Sequence, residues 1–306
     1  MNPELSKTAN LEQFGHMRYV VITPVRDEAE FIEKTIHSMI QQTVRPTEWI
    51  IVNDGSTDET PEIVTRHAAE HPWIKLVNRE DRGIRQRGKG IVEAFYKGYE
   101  ALADQDYGFI VKLDGDLSFE PTYFESLLHE FTFRPRLGIA GGGVYERFGG
   151  EPWKLCTVKD HVRGPTKVYK RACFEAIGGL VPSMGWDGID EWKARTLGWE
   201  VRSFTELKVL HYRITGAATG PLKSNLEQGY GAHYMGYHPL YMIARGIRHM
   251  FYRPYLIGGM AMIASYFLAW LRGKERLQDP SVIRYVRRTQ LRQLAGLLKG
   301  KSVHEN

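Results

Sequence analysis

Phe109-Ile110-Val111-Lys112-Leu113 runs without a break into Asp114-Gly115-Asp116, and the rest of the chain is read outward from this junction. A short run rich in apolar residues, closed by a turn cluster, predicts a buried strand. Two carboxylates separated by one small residue at its end can point around a bend toward a single hard cation. Mg2+ and Mn2+ prefer oxygen ligands and often bridge to a substrate diphosphate. Alone, an Asp-x-Asp triplet is most often a solvated turn; here two other polar loops are due at the same edge.

Upstream, Arg18 to Thr23 is a β-branched run ending at Pro24, and Ile32, Ile36, Met39 and Ile40 recur at helical spacing. A second strand, Trp49 to Val52, runs into the turn cluster Asn53-Asp54-Gly55-Ser56. Thr60 is expected to cap a helix, with Pro61 at its first position and Glu62 in the first turn. Trp73 to Val77 reads as a third strand. A basic, glycine-punctuated loop, Arg79 to Gly90, then leads to a helix with Ile91, Ala94, Phe95, Gly98 and Leu102 on one face. Strands alternating with helices mean βαβ units and a largely parallel sheet, in which ligands bind beyond the carboxyl ends of the strands. Thr23 to Glu28, Asn53 to Asp58 and Asp114 to Ser118 converge there. The middle cluster also reads as an Asx-turn and helix cap, with Asp54 placed to accept hydrogen bonds from a nucleobase or ribose.

The second half is less regular. Gly141 to Gly143 and Gly149-Gly150 bracket a segment expected to be flexible. Ala172 to Ile177 and Ile189 to Leu197 read as short helices, and Val201 to Phe204 and Lys208 to His211 as separate strands. The expected organisation is an N-terminal extension over 1–16 and an α/β domain over 17–220, nucleotide-binding to 118 and acceptor-binding beyond. A helical C-terminal region follows over 221–306.

Thr23-Pro24-Val25-Arg26-Asp27-Glu28, Ile51 to Thr60, and Leu113 to Asp116 together resemble the inverting family 2 glycosyltransferases, in the family's order and separations. The resemblance covers Arg18 to His211, about two thirds of the chain. It implies a GT-A-type, Rossmann-like mixed sheet, mainly parallel, with helices on both faces. It further implies a nucleotide-diphosphate sugar donor, a UDP-sugar foremost, a glycan or lipid-linked acceptor, and Mg2+ or Mn2+. On that reading Thr23, Pro24, Arg26, Glu28, Asn53 and Asp54 line the nucleoside pocket, Asp114 faces ribose or metal, and Asp116 binds the metal. His211, ending a strand, completes the metal shell or meets the diphosphate, and Arg213 is a diphosphate contact; an ordinary hydrogen-bonded histidine is the plainer reading.

There are departures. Many members have consecutive Asp residues where this chain has Asn53-Asp54. Arg87-Gly88-Lys89-Gly90 and Asp116 to Pro121 look more like the polyprenyl-phosphate sugar synthases, with Arg87 and Lys89 as point charges for diphosphate. An inverting transfer needs a carboxylate to take the acceptor's proton. Counted back from Gly198, Asp187 falls at the family's catalytic Asp, with Trp186 in place of the usual Glu, and Asp190 is the second choice. Capping the next helix is the alternative role for both. A non-catalytic nucleotide-sugar-binding protein is the contrasting function.

Charge divides the chain. From Tyr241 to Asn306 twelve Lys or Arg stand against three Asp or Glu, leaving the remainder at −4 of the net +5. A basic tail on a slightly acidic body suggests an anionic partner. No nucleic-acid module is recognisable, so the expectation is an anionic membrane surface. Tyr255 to Leu271 is uncharged for 17 residues, at the lower limit for a span, with positive charge on both sides. The expectation is a helix or hairpin lying in the interface with its basic flanks on anionic lipid; a core helix or a homodimer contact is the alternative. With two cysteines and no signal-peptide pattern at Met1 to His16, the expected location is cytoplasmic, at the inner face of the membrane.

Overall fold

Alternating apolar residues along β1 (Tyr19–Val25) enter two different cores: Tyr19, Val21 and Val25 enter one, Val20 and Ile22 the other, as the two-residue period of a strand requires. The computed structural model describes residues 17–81, 83, 88–147, 149, 151–157, 160–213 and 220–298. The expectations at 1–16, Arg87, Gly150 and residues beyond 298 lie outside the described residues. After α1 (Ile32–Ile40), β2 (Glu48–Asn53) repeats the alternation, with Trp49 and Ile51 opposed to Ile50 and Val52. Then come α2 (Thr60–Glu70), β3 (Ile74–Asn78), α3 (Lys89–Glu100) and β4 (Phe109–Leu113). β3, β2, β1 and β4 are parallel neighbours. α1 and α2 supply Ile32, Ile36, Met39 and Val64 to the first core, and α3 supplies Val92, Ala94 and Phe95 to the second. Helices therefore cover both faces, and each fully buried side chain of this size contributes about 1.5–3 kcal/mol.

The chain continues through β5 (Leu117–Phe119), α4 (Tyr123–Phe133), β6 (Leu137–Glu146), β7 (Lys154–Leu155), β8 (Thr166–Lys170), α5 (Arg171–Ala176), α6 (Trp186–Thr196) and β9 (Glu200–His211). The sheet order is β3-β2-β1-β4-β8-β6-β9-β5, with β7 on β6. β8 is antiparallel to both neighbours, β6 and β9 are parallel, and β5 is antiparallel to β9. This is the mixed, doubly covered α/β sheet expected. The return of β5 beside β9 sets Leu117 opposite His211, and the β6–β9 pairing sets Glu146 opposite His211.

Two expectations are corrected. Gly141 to Gly143 lie buried within β6 rather than at the edge of a flexible segment. A Cβ on Gly141 would stand 2.5 Å from the Thr166 carbonyl oxygen, and one on Gly142 2.4 Å from that of Leu207. Close approach of neighbouring backbone, not mobility, calls for glycine there. The two short strands over 201–211 are one, β9, interrupted by a register shift between Gly142 and Gly143 of its partner, where a bulge bends the ladder.

The chain divides into two compact units between Arg213 and Ile214. The second holds α7 (Pro221–Tyr234), α8 (Pro239–His249), α9 (Ile257–Leu271) and α10 (Pro280–Leu298), around Ala232, Met242, Met262 and Tyr266. α8 and α9 touch through backbone: a Cβ on Gly259 would lie 2.1 Å from the Gly246 carbonyl oxygen. Among the described residues no helix is long and apolar enough to cross a membrane.

Candidate active site

Strand alternation places Lys112, two residues before Asp114, on the same face as Ile110. Its side chain is 2% exposed, and its ammonium donates to the Asp114 carboxylate and to the Gly164 carbonyl, the latter at 2.9 Å. An unpaired charge there would be costly; the pair turns Asp114 into a fixed acceptor. Burial holds the Asp114 carboxyl above its usual range, opposed by Lys112 and assisted by nearby Asp116.

Asp116 is buried immediately before β5, and His211 reaches it from the end of β9. His211 Nε2 lies 3.3 Å from Asp116 Oδ2, and Nδ1 lies 3.1 Å from Glu146 Oε1. Arg163 Nη2 meets the same Glu146 oxygen at 2.8 Å. Burial by itself lowers the His211 pKa, but the Asp116 and Glu146 carboxylates outweigh it and raise it to about 9. One ligand atom each from Asp114, Asp116 and His211 falls within 4.8 Å of the others. Two carboxylates and an imidazole fit a divalent cation. A carboxylate behind the imidazole, here Glu146, is the partner that orients a ligating histidine.

The loops after β1 and β2 are tied to one another. Arg26 donates from Nη1 to the Asp54 carbonyl at 2.8 Å, and its Nη2 meets Asp81 Oδ1 at 2.8 Å. The Asp54 carboxylate accepts from Arg79 at 2.7 Å. Asn53 receives the Ser56 N–H at 2.9 Å and donates to Asn78 at 2.9 Å, which makes it a turn former. Pro24 is half-buried at the mouth of β1. Thr23 is different: it is fully buried, and its hydroxyl accepts from the Trp49 indole at 2.9 Å. This bond ties β1 to β2 inside the core. Arg213 donates to the Asp27 carbonyl at 2.8 Å and meets Glu28 Oε2 at 2.9 Å. It fastens the end of β9 to the first loop. Lys89 opens α3, 55% exposed, 3.6 Å from Glu93.

α6 begins earlier than sequence periodicity indicates, at Trp186, and this moves Asp187 into its first turn, where the helix dipole favours a carboxylate. Asp187 stays half-buried. A Cβ on Gly164 would lie 3.4 Å from Asp187 Oδ2, and the Gly164 carbonyl accepts from Lys112, so Asp187 lies one residue away from the Lys112–Asp114 pair. Asp190 is sealed. Its side chain is 0% exposed, 2.8–2.9 Å from Lys167 Nζ and bonded to the Tyr169 hydroxyl. Lys167 also donates to the Asp187 backbone carbonyl and lies 3.3 Å from Glu191. Asp190 is thus held as the buried counter-ion of Lys167, and Asp187 is the more accessible of the two acids. Lys112, Glu146, Arg163, Lys167 and Tyr169 were missed in the sequence, although an inward-facing Lys in Phe109 to Leu113 and in Thr166 to Lys170 is itself a signal of a buried ion pair.

A sheet covered on both faces, with paired carboxylates leaving β4 and a histidine from β9 closing on them, is the architecture of the GT-A glycosyltransferases. The glycosyl transferase family 2 model matches residues 20–186, and the chain belongs to that family. It is similar to the chondroitin synthase of Pasteurella multocida, 32% identical over 111 residues, 36% of this chain and 10% of that protein. It is also similar to the putative glycosyltransferase EpsH of Bacillus subtilis, 28% identical over 167 residues, 55% of this chain and 45% of that one. These matches span less than half the length of either relative. In fold it resembles a mannosyltransferase from Pyrobaculum calidifontis solved with GDP-Man and Mn2+, at TM-score 0.52, 16% identity, and 98% and 87% coverage of the two chains. It likewise resembles GalNAc-T7 solved with UDP, GalNAc and Mn2+, at TM-score 0.60, 12% identity, and 99% and 67% coverage.

Proposed function

We propose that the chain is an inverting glycosyltransferase that moves a sugar from a nucleotide-diphosphate donor, a UDP-sugar foremost, to a glycan or lipid-linked glycan acceptor. The observation that carries this reading is the convergence at one sheet edge: Asp114, Asp116 and His211 drawn together, with the half-buried Asp187 beside Gly164. Arg26, Asn53, Asp54 and Pro24 shape the nucleoside side, and Lys89 and Arg213 supply positive charge toward the diphosphate. Asp114, Asp116 and His211 would hold Mg2+ or Mn2+, which when bound offsets charge developing on the leaving diphosphate.

Asp187 takes the proton from the acceptor hydroxyl as that oxygen bonds to the anomeric carbon and the bond to the diphosphate breaks, with inversion. Lys167 and Asp190 hold the Asp187 backbone in place from beneath. Calorimetry with UDP, GDP and TDP, with and without Mn2+, tests the donor side: one of the three should bind in a metal-dependent way, and binding of none sinks the reading. Asp187→Asn should abolish transfer and leave nucleotide affinity intact. Loss of both would make Asp187 a structural residue.

A further inference from the structure

In the first unit only Phe133, Leu155 and Leu197 stand exposed among the described large hydrophobic side chains, whereas sixteen do in the much shorter second unit. Such a concentration marks an interaction surface rather than ordinary surface composition. It is also ordered. α9 turns Gly258, Gly259, Met262, Tyr266 and Ala269 inward, so the helical period leaves Ile257, Met260, Leu268 and Leu271 on the opposite face, 47–72% exposed. α8 repeats this with Leu240, Ile243 and Ile247 outward. The turn between the helices carries Phe251 at 75%, Tyr255 at 60% and Leu256 at 62% exposure. Leu256 adopts φ 60, a conformation costly for leucine, so its projection into solvent is not the product of a relaxed backbone.

Charge identifies the partner. From Pro239 to Arg276 there are six Lys or Arg and one carboxylate, Glu275. Arg253 lies within the apolar turn, and Arg272, Lys274 and Arg276 follow α9, which itself carries no charge. An apolar face bordered by cations matches an anionic bilayer, where burial of hydrocarbon and attraction to headgroup phosphate add together. A symmetric contact with a second copy would bring these cations against their equivalents. α9 has 15 residues and rises only about 22 Å, short of the roughly 30 Å hydrocarbon core, so it suits the interface rather than a crossing.

We infer that the α8–α9 hairpin is a docking surface for anionic phospholipid, entered through Phe251, Tyr255 and Leu256 and flanked by Arg253, Arg272 and Lys274. The inference stands independently of the donor chemistry. The full chain is mixed with phosphatidylcholine vesicles, with and without phosphatidylglycerol, and floated. It should rise only with the anionic vesicles, less so at high salt. Phe251→Ser with Leu256→Asn should cut the bound fraction at least about tenfold, with circular dichroism and light-scattering mass unchanged. Both sites are exposed, and Asn accepts a positive φ more readily than Leu. Arg253→Gln with Arg272→Gln should weaken binding while leaving the apolar face intact. Failure to float with anionic vesicles, equal flotation with neutral ones, or unchanged binding by the Ser/Asn variant would overturn the inference. A dimer that the same variant dissociates, with no vesicle binding, would assign the face to a second copy instead.

Discussion

Asp190 and Asp187 are three residues apart, and their surroundings separate their chemistry. Asp190 answers the ammonium of Lys167 inside the protein, and removing one member of such a pair leaves the other charge buried without compensation. Asp190→Ala should therefore cost about 3–5 kcal/mol in denaturant unfolding; a loss under 1 kcal/mol would mean the pair is not structural. His211 supports a second prediction. Its folded pKa, raised to about 9 from 6.5, means that its stabilisation of the metal-free protein is complete below about pH 6.5 and is lost as the pH rises through 9. A cation at Asp114, Asp116 and His211 must displace that proton. Mn2+ affinity should therefore climb from pH 6.5 toward 9, and calorimetry in buffers of different ionisation heat should show proton release. A pH-independent affinity would place the cation away from His211.

At the scale of elements, α3 lies so close to the sheet that a Cβ on Gly98 would stand 2.7 Å from Ile22 Cγ2 and 2.8 Å from Val52 Cγ2. Alanine is the better helix former by about 1 kcal/mol, but overpacking costs about 1–3 kcal/mol, and two rigid β-branched side chains leave little room to yield. Gly98→Ala should lower the unfolding midpoint in a thermal melt; a rise would show that α3 can slide outward. The same elements show what the sequence made legible. β1, β2 and β4 are mainly apolar and run into turn residues, so their existence and the site edge could be read. β6 could not, because its glycines look like a loop until the carbonyls of Thr166 and Leu207 are seen against them. The start of α6 was misplaced because Trp186-Asp187-Gly188 lacks helical periodicity. Thr23 sits in the right motif, but the indole of Trp49 takes its hydroxyl. Contacts distant in sequence decided each case, and no local pattern encodes them.

At the scale of the whole chain, chemistry and charge are segregated. Every residue placed at the candidate site lies before Ile214, as do both large cores, whereas from Ile214 onward thirteen Lys or Arg stand against four Asp or Glu. Sheet pairing, helix cover and the Asp116–His211–Glu146 contacts are all internal to the first unit. A fragment comprising residues 17–213 should therefore unfold cooperatively and bind the donor nucleotide within about threefold of the full chain, a difference under 1 kcal/mol. It should also lose salt-sensitive flotation with anionic vesicles, because the residues assigned to that surface are gone. The two measurements separate the roles. A fragment that fails to fold would show that the two cores are insufficient without the helical unit. A folded fragment that still floats would move the lipid contact into the catalytic unit, where only Phe133, Leu155 and Leu197 are available as exposed large apolar side chains among the described residues.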